Sequence, residues 1–271
     1  MIHLVAIDLD GTLLNSSKEI TAQTSAILRM ARREKGVHIV LATARPPRSV
    51  RAYYDALELD SPTINYNGAL VLDPPSGLVL LHRPIPARTA RRIVATAREK
   101  YPQVLVSAEI LDKWCTDRLD RHYTTETGKE FEPDVIGPLE QWLVGSVTKL
   151  LLLGKSKPLL ELGYALLEEF GRQITIVRTD ENLLQIMHAT VSKAKALRTV
   201  AAELGVNRRQ VMAIGDQEND IDMIRWAGIG VAMANATPAV QAAADYVTDH
   251  HDADGVANAV HRIIIEGKPH K

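Results

Sequence analysis

Ile2 to Ile7 is an apolar run interrupted only by His3, and it stops on Asp8-Leu9-Asp10-Gly11. That is the pattern of a strand buried on both faces that empties into a polar turn. From Thr21, a residue type suited to an N-cap, Ile27, Leu28 and Ala31 recur at helical spacing, and Gly36 stands where a helix should close. Val37 to Ala42 returns to strand, which makes a βαβ unit and predicts a parallel sheet. A helix over about 48–58, delayed by Pro46 and Pro47, and a short run from Thr63 to Asn65 continue the alternation.

Near residue 68 the texture changes. Ala69–Leu72 and Leu78–Leu81 flank Asp73-Pro74-Pro75-Ser76-Gly77, a hairpin signature. Helix, strand and strand then follow at about 87–100, 103–107 and 112–116, and again at about 157–170, 174–178 and 183–187. These two units predict an α+β insert with a mostly antiparallel sheet, while the stretch 117–146 reads as a frayed helix plus loop. From about 188 the core alternation resumes, with a helix over about 193–204, strands at Val211–Ile214, Ile229–Met233 and Tyr246–Val247, and helices over about 219–226 and from Pro238. The expected fold class is α/β: a Rossmann-like parallel-sheet core with helices on both faces, formed by 1–83 and 188–271, plus an α+β cap domain at 84–187.

Composition narrows the function. The chain of 271 residues carries 32 Lys and Arg against 33 Asp and Glu, a net charge of −1, so bulk charge does not hold it to nucleic acid or an anionic membrane. Apolar residues make up 46% of positions and aromatics 4%, which points to a core of Leu, Ile, Val and Ala. Cys115 is the single cysteine, no signal-peptide pattern opens the chain and no run approaches a membrane span. A soluble, cytoplasmic protein with a small-molecule partner, no nucleic acid and no membrane is expected.

Three polar clusters each follow a predicted core strand: Asp8-Leu9-Asp10-Gly11-Thr12, Ala42-Thr43-Ala44-Arg45 and Gly215-Asp216-Gln217-Glu218-Asn219-Asp220. In an open parallel sheet such segments converge beyond the carboxyl ends of the strands. Ser192-Lys193 opens a helix, where free N–H groups and a lysine favour an anion. Four carboxylates, from Asp8, Asp10, Asp216 and Asp220, repel one another in one crevice unless a cation neutralises them. All-oxygen ligation favours Mg²⁺, which shares its sphere with phosphate, and phosphate in turn accounts for Thr43 and Lys193. No serine, cysteine or histidine in the motif cores competes as nucleophile, so a carboxylate is the available one. Asp8 at the strand end is placed for in-line attack, and Asp10 for acid/base work.

Taken together, DLDGTLL at 8–14, LATAR at 41–45, NYNGA at 65–69, SKAKAL at 192–197, GDQENDIDM at 215–223, GVAMANA at 230–236 and DGVA at 254–257 resemble the haloacid-dehalogenase-like hydrolase superfamily. The resemblance is to its Cof-type sugar-phosphate phosphatases with a class-two, subtype B cap. It implies an aspartyl-phosphate mechanism with Asp8 as nucleophile and Asp10 as acid/base, the phosphoryl group bound by Thr43 and Lys193. It further implies Mg²⁺ held by Asp8, the Asp10 main-chain carbonyl and Asp216, with Asn219 turned towards phosphate and Asp220 towards metal or Lys193. A phosphomutase of the phosphomannomutase type and a non-catalytic phosphate-ligand sensor are the competing readings. Two glycines common in the family are replaced by Ala44 and Ala194, which bears on local backbone geometry or substrate fit.

Other residues weigh differently. Arg45, Asn67 and Asn235 stand in loops beyond core strands as substrate-contact candidates, each with a plain turn or surface reading beside it. His250-His251-Asp252-Ala253-Asp254 has the look of a metal cluster but reads as a solvated turn. His188 is a substrate-contact candidate, Cys115 a packed residue, and Arg88, Arg91, Arg92 and Arg98 a solvated cap face.

Overall fold

The computed structural model describes residues 1–120, 122, 123 and 125–268, apart from the side chains of Glu126 and Thr179. Strand β1 (Leu4–Ile7) leads through α1 (Ala22–Lys35) to β2 (His38–Leu41), α2 (Pro47–Ala56) and a small sheet of β3 (Thr63–Asn65), β4 (Leu70–Asp73) and β5 (Leu78–His82). Next come α3 (Ala87–Lys100), β6 (Leu105–Ile110), β7 (Lys113–Thr116), α4 (Glu126–Glu130), β8 (Val135–Ile136) and α5 (Leu139–Trp142). They are followed by β9 (Lys149–Leu153), α6 (Ser156–Phe170), β10 (Ile174–Asp180) and β11 (Leu183–His188). The last stretch holds α7 (Lys193–Glu203), β12 (Val211–Gly215), α8 (Ile221–Trp226), β13 (Ile229–Ala232), α9 (Pro238–Gln241), β14 (Tyr246–Val247) and α10 (Gly255–Val260).

Two compact units result, one of Met1–Leu81 with the chain from Ser192 onward, the other of His82–Val191. In the first, five parallel strands lie in the order β14-β13-β12-β1-β2. Strand order reverses between β1 and β12, and such a switch point opens a crevice at the carboxyl ends of the strands. Period-two alternation sorts the side chains. Val5, Ile7, Ile39, Leu41, Met212 and Ile214 meet Leu28 and Ala31 of α1 and Val256 and Val260 of α10. Leu4, Ala6, Val40, Val211 and Ala213 meet Ala196 and Leu197 of α7 and Met223 of α8 on the opposite face. Helix α1 begins where the sequence predicts, with the Thr21 side chain accepting from the Thr24 N–H, and ends on Gly36 in the left-handed region.

The second unit is a six-stranded sheet in the order β10-β11-β9-β6-β7-β8, antiparallel except for the β7–β8 pair. Ile93 and Ala97 of α3 and Leu159, Leu162 and Leu166 of α6 bury one face against Val106, Ala108, Leu150, Leu152 and Ile186. Elements in three places escaped the sequence reading. Strand β9 is four leucines after Lys149, buried throughout, and so carries no alternation. The stretch 117–146, expected as a frayed helix plus loop, holds α4, β8 and α5. Helix α10 begins within the DGVA motif and packs against α1. Among the described residues no helix is long and apolar enough to cross a membrane.

Candidate active site

Asp8 follows β1, Thr43 lies two residues beyond β2, and Asp216 follows β12, so the three loops open at the same end of the sheet. The Asp8 N–H donates to the Ile214 carbonyl and the Thr43 N–H to the Ile64 carbonyl, which continues the strand pattern into the loops. Gly11 has φ +79°, and a Cβ there would sit 2.5 Å from Asp216 Oδ2, so only glycine lets the first loop pass this close to the third. Gly68, at φ +97°, has the same role against α7: an added Cβ would lie 2.5 Å from the Ser192 carbonyl oxygen.

That close approach seats Lys193. It is the first residue of α7, after Ser192, whose hydroxyl accepts from the Lys195 N–H. Its ammonium is buried and donates to Asp8 Oδ1 and to Asp220 Oδ1, each at 2.6 Å. One carboxylate oxygen from each of Asp8, Asp216 and Asp220 lies within 4.8 Å of the others. Burial, with Asp220 and Asp216 close by, pushes the Asp8 carboxyl up to about 8 against the pull of Lys193. Burial also raises Asp216, against hydrogen bonds from Thr12 and Gln217, while Lys193 is pushed up by Asp220 and Asp8 despite its own burial. Three buried carboxylates facing one ammonium leave negative charge that calls for a proton or a hard cation. An all-oxygen donor set without thiol or imidazole fits a divalent ion of the Mg²⁺ type.

Within this group the residues differ. Asp220 Oδ2 accepts from the N–H groups of Asp216 and Gln217, so with Lys193 on Oδ1 it braces the loop and the lysine. Asp216 accepts from the Thr12 hydroxyl at 2.7 Å and from Gln217 Nε2 at 2.8 Å. The Asp10 carboxylate stands apart from the three. Arg45 grips it through Nε at 2.8 Å and Nη2 at 2.7 Å, and Lys18 Nζ lies 2.8 Å from Oδ1. Although burial opposes it, these bonds hold the Asp10 carboxyl down at about 2.

Thr43 is buried, and its Oγ accepts the Arg45 N–H, which leaves the hydroxyl proton to be donated elsewhere. Asn67 donates its N–H to the Thr43 carbonyl and accepts Asn219 Nδ2 at 2.8 Å, so Thr43, Asn67 and Asn219 form one linked group. Asn235, a substrate-contact candidate, has backbone on both ends: Nδ2 donates to the Gly11 carbonyl and Oδ1 accepts the His251 N–H. It reads as a brace of the first loop. Neither Ala44 nor Ala194 falls among the residues with positive φ, so alanine meets no conformational barrier at either position.

The remaining candidates act as braces too. His250 Nδ1 accepts the Asp252 N–H, His251 Nδ1 pairs with the Leu14 carbonyl, and Asp252 takes both the N–H and the hydroxyl of Ser16. His188 Nδ1 pairs with Thr190 Oγ1, and Cys115 is buried, with its thiol raised by that burial. The arginines of α3, expected as a solvated face, do lie at the surface, Arg88, Arg91 and Arg92 exposed and Arg98 half-buried, with partners for three of them: Arg92 with Glu169, Arg98 with Asp117, and Arg91 with the carbonyls of Leu143 and Val144. Thr12, Lys18 and Gln217 were not singled out in the sequence. Thr12 and Gln217 lie inside quoted motifs, whereas Lys18 stands in a loop that carries no motif signal.

A sequence profile described as haloacid dehalogenase-like hydrolase matches residues 5–260. The chain belongs to the haloacid dehalogenase-like hydrolase family. A Bacillus subtilis (strain 168) member named 5-amino-6-(5-phospho-D-ribitylamino)uracil phosphatase YitU is 30% identical, over 94% of this chain and 95% of that protein. A crystal structure of a haloacid dehalogenase-like hydrolase from Bacteroides thetaiotaomicron superposes with a TM-score of 0.88 at 28% identity, covering 97% of this chain and 100% of the other. A solved structure described as the HAD subclass IIB sugar phosphatase BT4131 gives 0.79 at 25% identity, over 98% and 99%. The α/β fold and membership of a hydrolase family that performs phosphoryl transfer thus rest on the whole chain and not on single motifs.

Proposed function

We propose that the protein is a Mg²⁺-dependent phosphatase of small phosphorylated metabolites that works through a phosphoryl intermediate on Asp8. The observation that carries this reading is the buried Lys193 ammonium, held between Asp8 and Asp220 beside Asp216. A buried ion pair of this cost is uneconomical as a structural device, whereas a nucleophilic carboxylate needs a fixed cation next to the oxygens of the group it attacks. Support comes from relatives named for phosphate esters of polyhydroxylated compounds, YitU and BT4131. Sugar and sugar-alcohol phosphates are therefore the substrate class.

Asp8 and Asp216 would hold Mg²⁺, with the Asp10 carbonyl as a third protein ligand and Asp220 close by. The ion supplies Lewis-acid charge to the phosphoryl oxygens and to the attacking carboxylate. An Asp8 oxygen attacks phosphorus in line as the bond to the ester oxygen breaks, and Asp10 gives that oxygen its proton. Thr43 and Lys193 donate to the phosphoryl oxygens, with Asn219 held alongside by Asn67. Asp10 then takes a proton from water, whose oxygen attacks phosphorus; the bond to Asp8 breaks and phosphate leaves. In the free protein Arg45 and Lys18 keep Asp10 ionised, ready as a base, so both must be drawn off it before it can act as an acid.

The unit His82–Val191 is read as the cap that selects among substrates, and the protein as cytoplasmic. Phosphate release from sugar phosphates with and without Mg²⁺ tests the reading, with acid-quenched protein searched by mass spectrometry for a phosphoryl group on Asp8. Turnover in excess chelator, or undiminished turnover by Asp8→Asn, overturns it. Isomerised sugar phosphate in place of free phosphate points to a mutase, and binding without turnover to a sensor. Exchange of the cap with that of a relative should carry preference among neutral leaving groups with it.

A further inference from the structure

The cations on Asp10 carry information about the substrate that phosphoryl transfer itself does not use. Lys18 and Arg45 both touch the one carboxylate that, in the proposed reaction, meets the leaving-group oxygen. Charges add up to an excess here: two cations share one anion. Neither cation belongs to the phosphoryl grip, which consists of Thr43, Lys193 and Asn219.

Lys18 is held in place at some cost. Its backbone sits at φ +61°, a left-handed conformation that a non-glycine residue adopts at about 1 kcal/mol or more. The loop around it is closed from several sides. The side chain of Asn15 accepts the N–H groups of Ser17 and Glu19, the Asn15 N–H donates to the Glu19 carbonyl, and the Lys18 N–H donates to the Asn15 carbonyl. From α2 the Tyr53 hydroxyl donates to the Lys18 carbonyl, and the same ring lies 5.6 Å from the guanidinium carbon of Arg45. Tyr53 thus fixes both cations. The Lys18 side chain remains 54% exposed and that of Arg45 15%, so the pair presents one half-exposed and one mostly buried donor.

We propose that Lys18 and Arg45 form a second anion subsite for the leaving group, and that the preferred substrates are phosphate esters whose released alcohol carries a carboxylate or a second phosphate. An anion two or three bonds from the ester oxygen reaches the two cations as that oxygen reaches Asp10. It takes over their N–H donors and frees the Asp10 carboxyl to face the ester oxygen. Arg45 offers a carboxylate or phosphate the same two-pronged contact that it now makes with Asp10, and Lys18 adds a point charge. This inference rests on the phosphatase reading and specifies its substrate class.

Matched pairs of substrates test it: 3-phosphoglycerate against glycerol 3-phosphate, and 2-phosphoglycerate against glycerol 2-phosphate, with 4-nitrophenyl phosphate as a common reference. The whole protein is assayed with Mg²⁺ at low and at high salt. The expected wild-type result is kcat/KM at least about ten-fold higher for the anionic member of each pair at low salt, shrinking as salt screens the half-exposed lysine. Lys18→Met should cut the anionic-to-neutral ratio about five-fold or more through KM, and Lys18→Arg should restore most of it. Because only the ratio is read, any loss of turnover common to both members cancels. Equal kcat/KM within both pairs, or a ratio unchanged in Lys18→Met, overturns the subsite while the phosphatase reading stands. Failure to hydrolyse any of the esters, the nitrophenyl one included, overturns both.

Discussion

Asp8 and Asp10 are separated by one leucine and live in opposite electrostatic settings. Burial lifts the Asp8 carboxyl to about 8, while Arg45 and Lys18 hold Asp10 near 2, so at neutral pH the metal-free protein carries a proton on the first and none on the second. Metal must displace that proton. Between about pH 5 and 7 the binding of Mg²⁺ should therefore release close to one proton, falling to about half near pH 8, and apparent affinity should climb with pH and level off above about 8. Calorimetry in two buffers of different ionisation enthalpy measures the release; identical heats in both would refute it. The same raised group works against the metal-free fold in alkali. A carboxyl whose folded value lies above its unfolded value stabilises at low pH, and that contribution is lost as pH rises to about 8. Lys193→Met leaves the buried carboxylates without their ammonium and should cost about 3–5 kcal/mol in denaturant unfolding at pH 9, and less at pH 6 where Asp8 is protonated. Asp8, Thr43 and Asp216 were readable in the sequence because each stands just past an apolar strand, Asp220 because it shares the polar cluster of Asp216, and Lys193 because it opens a helix after Ser192. Lys18 was not: only the fold shows that a lysine eight residues on in a polar loop returns to Asp10.

At the scale of elements, the site depends on how closely loops and helix ends approach. Gly68 is one of these points, since the three-residue turn that contains it abuts the start of α7. Gly68→Ala adds one methyl against a carbonyl oxygen at a backbone angle alanine avoids, and should cost about 2–3 kcal/mol of stability. It should also lower kcat/KM by shifting Lys193, whereas Gly77→Ala on the open hairpin, where an added Cβ meets nothing, should cost less and leave kinetics alone. Equal effects at the two positions, read from thermal unfolding and phosphate release, would count against a fixed α7 start. Elements with caps and alternation, such as α1 and the strands of the parallel sheet, were legible because local sequence and tertiary placement agree. Strand β9 was illegible for a physical reason: past Lys149, a central strand covered on both faces is a run of leucines with no alternation to read. Asn235 was half legible, its place in a loop evident but its two backbone partners set by tertiary packing.

On the scale of the whole molecule, each unit has its own apolar cores, and the three clustered carboxylates and their lysine belong to one unit alone. A ligand that binds only the folded form of that unit stabilises it by mass action, about 2.7 kcal/mol at a hundred times its Kd. Mg²⁺ should therefore raise the unfolding temperature of the parallel-sheet unit and leave the antiparallel unit where it was. Hydrogen exchange resolved by segment would reveal it. Equal protection of Val106 in the insert and of Ile7 or Ile214 in the core would show the two to be one cooperative block. The central place of β1 in its sheet has a further consequence, for the order in which a growing chain can fold. Its neighbours are β2, made soon after it, and β12, made only after the whole insert. A nascent chain that has just emerged through β11 already holds every strand of the insert, while Asp8 still awaits Lys193 and Asp220. On a ribosome the insert should thus resist protease first, and the clustered carboxylates should meet only when the chain beyond the insert is free to close the sheet around β1.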